Sequence, residues 1–188
     1  DQLAEHTELG IPVMMIHEGI PGHHLQFATA AQHPSFIRRI FSANEHAEGW
    51  TTMLEDYMLD VGYIKDDLVD EVRFIAKREM SRLVARVGID LYFMTGERDY
   101  LNVGLDLGFE QNGYSDDVFD NAAKLLKKAT GFTDGRVQAE LNWYSTEQSY
   151  PLSYLTGNRL VWQLKQDIQA AHKKDLDALA LDRALHQV

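Results

Sequence analysis

The sequence predicts an all-α protein assembled from several amphipathic helices. Two observations lead to that reading. Apolar residues recur at helical spacing over long stretches, and no segment alternates apolar and polar residues in the manner of a half-buried strand. Helix stop and start signals punctuate the periodic stretches at plausible intervals, which supplies a third.

The first clear helix begins near Glu45. Ala47, Trp50, Thr51, Leu54, Tyr57, Met58 and Val61 share a face, and Gly62 ends it. Leu68, Val72, Ile75, Met80, Leu83, Val84, Val87, Leu91 and Met94 continue the period to Gly96, which predicts a long buried helix at the centre of the packing. Gly104, Gly108 and Gly113 then break any period, so the stretch up to Ser115 reads as an irregular excursion. Ser115, Asp116 and Asp117 cap a helix through Val118, Ala122, Leu125, Leu126 and Ala129 that Gly131 ends. Another starts at Thr133 or Asp134 and runs through Val137, Leu141 and Tyr144. After Pro151, the residues Leu155, Leu160, Val161, Leu164 and Ile168 mark a further helix, and Leu176, Leu179 and Leu185 a short final one. Five to seven helices in one domain over residues 1–188 is the economical architecture, with Met14, Met15, Met53, Met58 and the tryptophans as core filler.

The bulk composition narrows the function. With 188 residues, 45% of them hydrophobic and 25% charged, the chain can bury a core of its own. A net charge of -11 argues against nucleic acid and anionic membranes, whose binding draws on clustered Lys and Arg. The basic runs Lys127-Lys128 and Lys173-Lys174 are only pairs. The absence of cysteine excludes disulfides, thiolate metal sites and cysteine nucleophiles. No apolar stretch is long enough to insert into a membrane, and the chain reads as part of something longer.

The segment that carries chemistry is Ile16-His17-Glu18-Gly19-Ile20-Pro21-Gly22-His23-His24-Leu25-Gln26. In the H-E-x-x-H pattern, one helical turn sets two imidazoles on one ion while the adjacent Glu handles water. Here the i+4 position is Pro21. On an unbroken helix His24 would stand two turns from His17, roughly 10 Å away and too far to share an ion with bonds of about 2 Å. Pro21 and Gly22 supply the break that lets His17 meet His23 or His24. A catalytic zinc also needs a third protein ligand, for which Glu48 on the following helix is the candidate. Glu55, two turns on, points in nearly the same direction and suits an acceptor for a ligand histidine. Each of these residues taken alone reads more simply as a solvated helix charge or an ordinary histidine; their clustering is the signal.

The string His-Glu-x-x-Pro-Gly-His-His-Leu-Gln, followed by Glu48-Gly49-Trp50, resembles the bacterial family catalogued as domain of unknown function 885. That family is similar to zincin-like, gluzincin-type metallopeptidases, with thimet-type oligopeptidases and thermostable carboxypeptidases as distant relatives. The resemblance extends to Arg82-Leu83-Val84 and to Leu152-Ser153-Tyr154 with Gly157. It implies a helical catalytic half in which His17 and His23 ligate zinc, with His24 as the rival second ligand, Glu18 is the general base and Glu48 completes the site. It further implies that Tyr154, with Tyr150 second, donates to the developing oxyanion. An N-terminal helical region packing against this part, and export from the bacterial cytoplasm, are also implied. Arg86, Gly88 and Asp90, Trp143-Tyr144 and Gln148-Ser149-Tyr150 depart from the family pattern where substrate contacts are expected.

The expected activity is hydrolysis of a peptide or small amide with zinc as cofactor. The competing expectations are cleavage of esters or non-peptide amides at the same site, a non-catalytic metal-binding or helical interaction module, and a structural protein without metal.

Overall fold

The computed structural model describes residues 7–171 apart from residue 66. Among them the chain forms α1 (Gly10–Glu18), α2 (His23–Ala30), α3 (Phe36–Ile40), α4 (Asn44–Asp60) and α5 (Val69–Thr95). A 3-10 turn (Arg98–Leu101), α6 (Phe109–Asn112), α7 (Val118–Thr130), α8 (Asp134–Thr146) and α9 (Tyr150–Ala171) follow, with no strand among the described residues. The protein is all-α, as the periodicity predicts. The helix expected through Leu176, Leu179 and Leu185 lies outside the described residues. The helices α2, α3 and α6 exceed the expected number; pieces of 8, 5 and 4 residues are too short to display a period.

Local chemistry sets the boundaries. The α5 helix ends at Gly96, whose φ of 74° is the left-handed cap conformation. At the start of α7 the Asp117 carboxylate accepts from the Phe119 N–H at 2.8 Å, while Ser115 Oγ accepts from the Asp117 N–H. Pro151 occupies the first turn of α9, where its missing N–H costs nothing.

The long α5 helix organises the packing. Its C-terminal half joins α7, α8 and the 3-10 turn through Ala85, Ile89, Leu101, Leu125 and Leu141. The glycine-punctuated excursion is therefore anchored: Leu101 is fully buried in that core. The N-terminal half meets α1 and α4 through Val72, Ala76, Val13 and Leu59. A third cluster ties α1 and α4 to α9 through Ile16, Trp50, Met53, Leu54 and Val161. Each large aliphatic residue so enclosed contributes about 1.5–3 kcal/mol relative to exposure.

The α4 and α9 helices cross at Gly49 and Gly157. A Cβ on Gly157 would stand 1.9 Å from the Glu45 carbonyl oxygen, and one on Gly49 would stand 2.3 Å from the Gly157 carbonyl carbon, so only glycine permits this approach. It brings the start of α9 against the first turns of α4, where Glu48 lies. Met53 is core filler as expected, but Met14 and Met15 are 51% and 53% exposed and Trp143 is 40% exposed. The α1 helix is apolar nearly all round and buries only Val13 and Ile16, so periodicity could not tell its faces apart.

Candidate metal centre

The α1 helix stops at Glu18 and α2 starts at His23, so the Pro21-Gly22 segment breaks the helix entirely. A Cβ on Gly22 would fall 1.9 Å from the His17 carbonyl oxygen and 2.2 Å from that of Ile16, and this packing folds α2 back over the end of α1. The Trp50 indole N–H donates to the Pro21 carbonyl at 3.0 Å and fixes the turn against α4.

This fold-back sets the His17 and His23 rings edge to face, with centroids 5.0 Å apart. Glu48, only 7% exposed, reaches them from α4. Its Oε2 lies 3.6 Å from His17 Nε2 and 3.5 Å from His23 Nε2. The three residues each offer one ligand atom, all within 4.8 Å of one another. Atoms bonded to one zinc at about 2.0–2.1 Å in a tetrahedron stand roughly 3.3–3.4 Å apart, so these separations suit a shared cation. Glu48 Oε2 is buried and accepts no hydrogen bond, an arrangement that is costly unless a cation faces it.

Neighbouring side chains orient the two rings. His17 Nδ1 lies 2.6 Å from Glu55 Oε1, and His23 Nδ1 lies 3.3 Å from Gln26 Oε1. Acceptors at both Nδ1 atoms leave both Nε2 atoms directed at Glu48. Phe27 stacks on the His23 ring with 5° between planes, and the Thr51 hydroxyl lies 3.3 Å from His17 Nε2. The other oxygen of Glu48 accepts from the Tyr150 hydroxyl at 2.5 Å, and the Tyr154 hydroxyl donates to that of Tyr150 at 3.3 Å.

Electrostatics follow from this packing. Burial opposes charge on His17, but Glu48 and Glu55 outweigh it and push the imidazole up to about 9. Burial would likewise raise Glu48, yet His17, His23 and the Tyr150 hydroxyl hold its carboxyl well below the usual carboxylate range. The two histidine contacts act through space, since 3.5 and 3.6 Å are too long for hydrogen bonds. Burial and then the Glu48 contact keep the Tyr150 phenol protonated far above its ordinary range.

The structure thus brings His17, His23, Glu48, Glu55 and Tyr150 together. His24, the rival for the second position, is on an exposed face of α2 outside the group. Glu18 is exposed at the end of α1 and acts on His17 through its charge. Tyr154 is one hydroxyl further from the carboxylate than Tyr150. Sequence reasoning gave no role to Gln26, although its spacing of three from His23 on one helix marks it as a neighbour.

No curated protein matches the chain by sequence. Among solved structures, a chain from Shewanella oneidensis described as a candidate lipoprotein of unknown function shares the fold, with a TM-score of 0.69 at 18% identity. The match covers 99% of this protein and 32% of that chain, so the sequence spans about a third of its neighbour. No helix among the described residues is long and apolar enough to cross a membrane. The family described as bacterial protein of unknown function, DUF885, matches residues 1–185, and the chain belongs to it.

Proposed function

We propose that the protein is a zinc-dependent hydrolase acting on peptide or small amide bonds. The observation that carries this reading is the buried Glu48 Oε2, which accepts no hydrogen bond and faces two histidine nitrogens at 3.5 and 3.6 Å. His17, His23 and Glu48 would hold the ion, and two nitrogens with one carboxylate oxygen form a donor set characteristic of catalytic zinc. A zinc ion held there supplies Lewis acidity to a carbonyl and acidifies water.

Glu18 takes the proton from the attacking water and returns it to the leaving amine. Its place beside His17 and its exposure to solvent support that role. Tyr154 donates to the developing oxyanion. Its hydroxyl donates to another phenol at a long 3.3 Å and lies in the field of the Arg86 guanidinium, whereas the Tyr150 hydroxyl is held at 2.5 Å by a carboxylate. Tyr150 accordingly keeps Glu48 in place, and Glu55 does the same for His17.

The relative's description as a lipoprotein supports an extracytoplasmic location. The exposed apolar side chains of α1 and α3, among them Met14, Met15, Phe36 and Ile40, support an N-terminal helical region packed over them.

The test combines zinc analysis, anomalous scattering at the zinc edge and a peptide-library assay. Wild type is expected to hold stoichiometric zinc and cleave peptides, His17→Ala to lose the metal, and Glu18→Gln to keep the metal without turnover. A metal-free wild type, or a Glu18→Gln variant at full rate, overturns the proposal.

A further inference from the structure

Beside the histidine-glutamate cluster lies a second feature that its chemistry leaves unused. A pocket of about 910 Å³ opens between α5, α8 and α9, lined by Arg82, Arg86, Arg136, Glu140, Trp143 and Tyr154 among others. A volume of that order suits a small ligand or a short stretch of peptide.

Arg86 is the unusual residue in it. It is 4% exposed, and its Nε and Nη2 are buried without any hydrogen-bond partner. The guanidinium carbon lies 5.0 Å from the Trp143 ring centroid, 5.1 Å from that of Tyr144 and 4.9 Å from that of Tyr154. Aromatic faces stabilise the cation through its π surface but accept nothing from N–H groups in its plane. An isolated buried charge with idle donors is costly, and proteins retain one where a ligand completes it.

The identity of the idle atoms indicates which ligand. Nε and Nη2 lie along one edge of the guanidinium and form the fork that meets a carboxylate with two parallel hydrogen bonds. In the same pocket the corresponding edge of Arg136 meets a carboxylate, its Nε at 2.8 Å and its Nη2 at 2.7 Å converging on the single oxygen Glu140 Oε1. Glu140 is committed there, and its Oε2 accepts from the Tyr144 hydroxyl at 2.6 Å. No described carboxylate pairs with Arg86 in that way.

Tyr154 forms a wall common to the pocket and the metal centre. Its ring lies against Arg86, and its hydroxyl reaches Tyr150 and through it Glu48. We infer that Arg86 binds a carboxylate of the substrate, so that a peptide lies with its acidic end in this pocket and its scissile bond at the histidine-glutamate cluster. The assignment to a substrate rests on the hydrolase reading, while the carboxylate site stands on the pocket itself. A free C-terminus and an acidic side chain share this chemistry, and the experiment separates them.

The test is equilibrium binding to metal-free protein, read by titration calorimetry, with acetyl-Ala-Ala, its C-terminal amide, acetyl-Asp-amide and inorganic phosphate as probes. The free acid is expected to bind at least about tenfold more tightly than the amide, a difference of about 1.4 kcal/mol. Arg86→Gln should erase that preference, and Arg86→Lys should restore only a small part of it, because lysine brings charge without the fork. Acetyl-Asp-amide binding as well as the dipeptide supports the site and assigns the group to a side chain; weaker binding supports a C-terminus. Equal affinity for acid and amide overturns the inference even if no variant folds, as does phosphate binding tighter than either carboxylate, or a preference that survives in Arg86→Gln. No metal and no turnover enter the measurement, so its outcome is independent of whether the protein proves to be a hydrolase.

Discussion

The Tyr150 hydroxyl donates to Glu48 Oε1 at 2.5 Å across the α4 and α9 interface, joining residues 102 positions apart. The bond leaves Oε2 alone directed at the two histidines, and so fixes which lone pair is offered to a cation.

Replacing Tyr150 by Phe should strip the buried carboxylate of its donor while leaving both imidazoles in place. The expected loss is about 10–100-fold in zinc affinity, the usual effect of removing a group that orients a ligand. Competition with a chromophoric chelator measures it.

Tyr154→Phe should behave differently. Its hydroxyl reaches the cluster only through Tyr150, so zinc affinity should stay within about twofold of wild type, while kcat falls by about 10²–10³ if it steadies the oxyanion. Chelator competition together with steady-state kinetics distinguishes the two tyrosines, and a Tyr154→Phe variant with unchanged kcat removes Tyr154 from the proposed mechanism.

How much of this was legible in the sequence depends on distance along the chain. The long helices announce themselves, because α5 and α7 repeat their apolar residues often enough to display a period. The break at Pro21-Gly22 is equally readable, since proline and glycine act locally. The side-chain partners of Glu48 are not, because Tyr150 meets it only after α9 crosses α4 at two glycines. Arg86 did leave a trace, a charge three residues after Leu83 on the buried stripe of α5, but a lone charge among apolar residues does not say what it faces. Exposure on α1 was beyond reach, as an apolar helix reads the same whether or not something covers it.

Metal loading should depend on pH through His17. In the metal-free protein this imidazole is raised from 6.5 to about 9, so it carries a second proton at neutral pH that zinc must displace. Apparent zinc affinity is therefore expected to climb with pH and level off above about 9. For the metal-free fold the sign is opposite: the stability contributed by the protonated ring is complete below pH 6.5 and is lost as pH rises through about 9. Chelator competition and urea titrations at pH 6 to 10 follow the two trends separately.

Gly157→Ala should wedge α9 away from α4, because the added carbon meets the Glu45 carbonyl at 1.9 Å and backbone cannot yield as a side chain can. Overpacking of this kind costs about 1–3 kcal/mol or more. The urea midpoint should fall with little change in slope. Zinc affinity should fall with it, since the same shift pulls Tyr150 from Glu48.

Asp90 offers the opposite case, a charge whose removal should help the fold. It is fully buried, its Oδ1 accepts from the Ser149 N–H at 3.1 Å, and its Oδ2 has no partner. Burial raises its carboxyl, with the Ser149 N–H opposing. Because the folded value stands above the unfolded one, the ionised group costs stability that appears as pH rises through the folded value. Asp90→Asn keeps an acceptor for Ser149 and removes the charge, so it should match or exceed wild type at pH 7 and lose that advantage near pH 4. Asp90→Ala removes the acceptor and leaves the Ser149 N–H unsatisfied just where the chain, at φ 66°, turns into the helix that bears Tyr150. That variant should be less stable by about 1–3 kcal/mol. Urea titrations of both variants at the two pH values decide the matter, and an Asn variant weaker than wild type at pH 7 means that the Asp90 carboxylate is needed ionised.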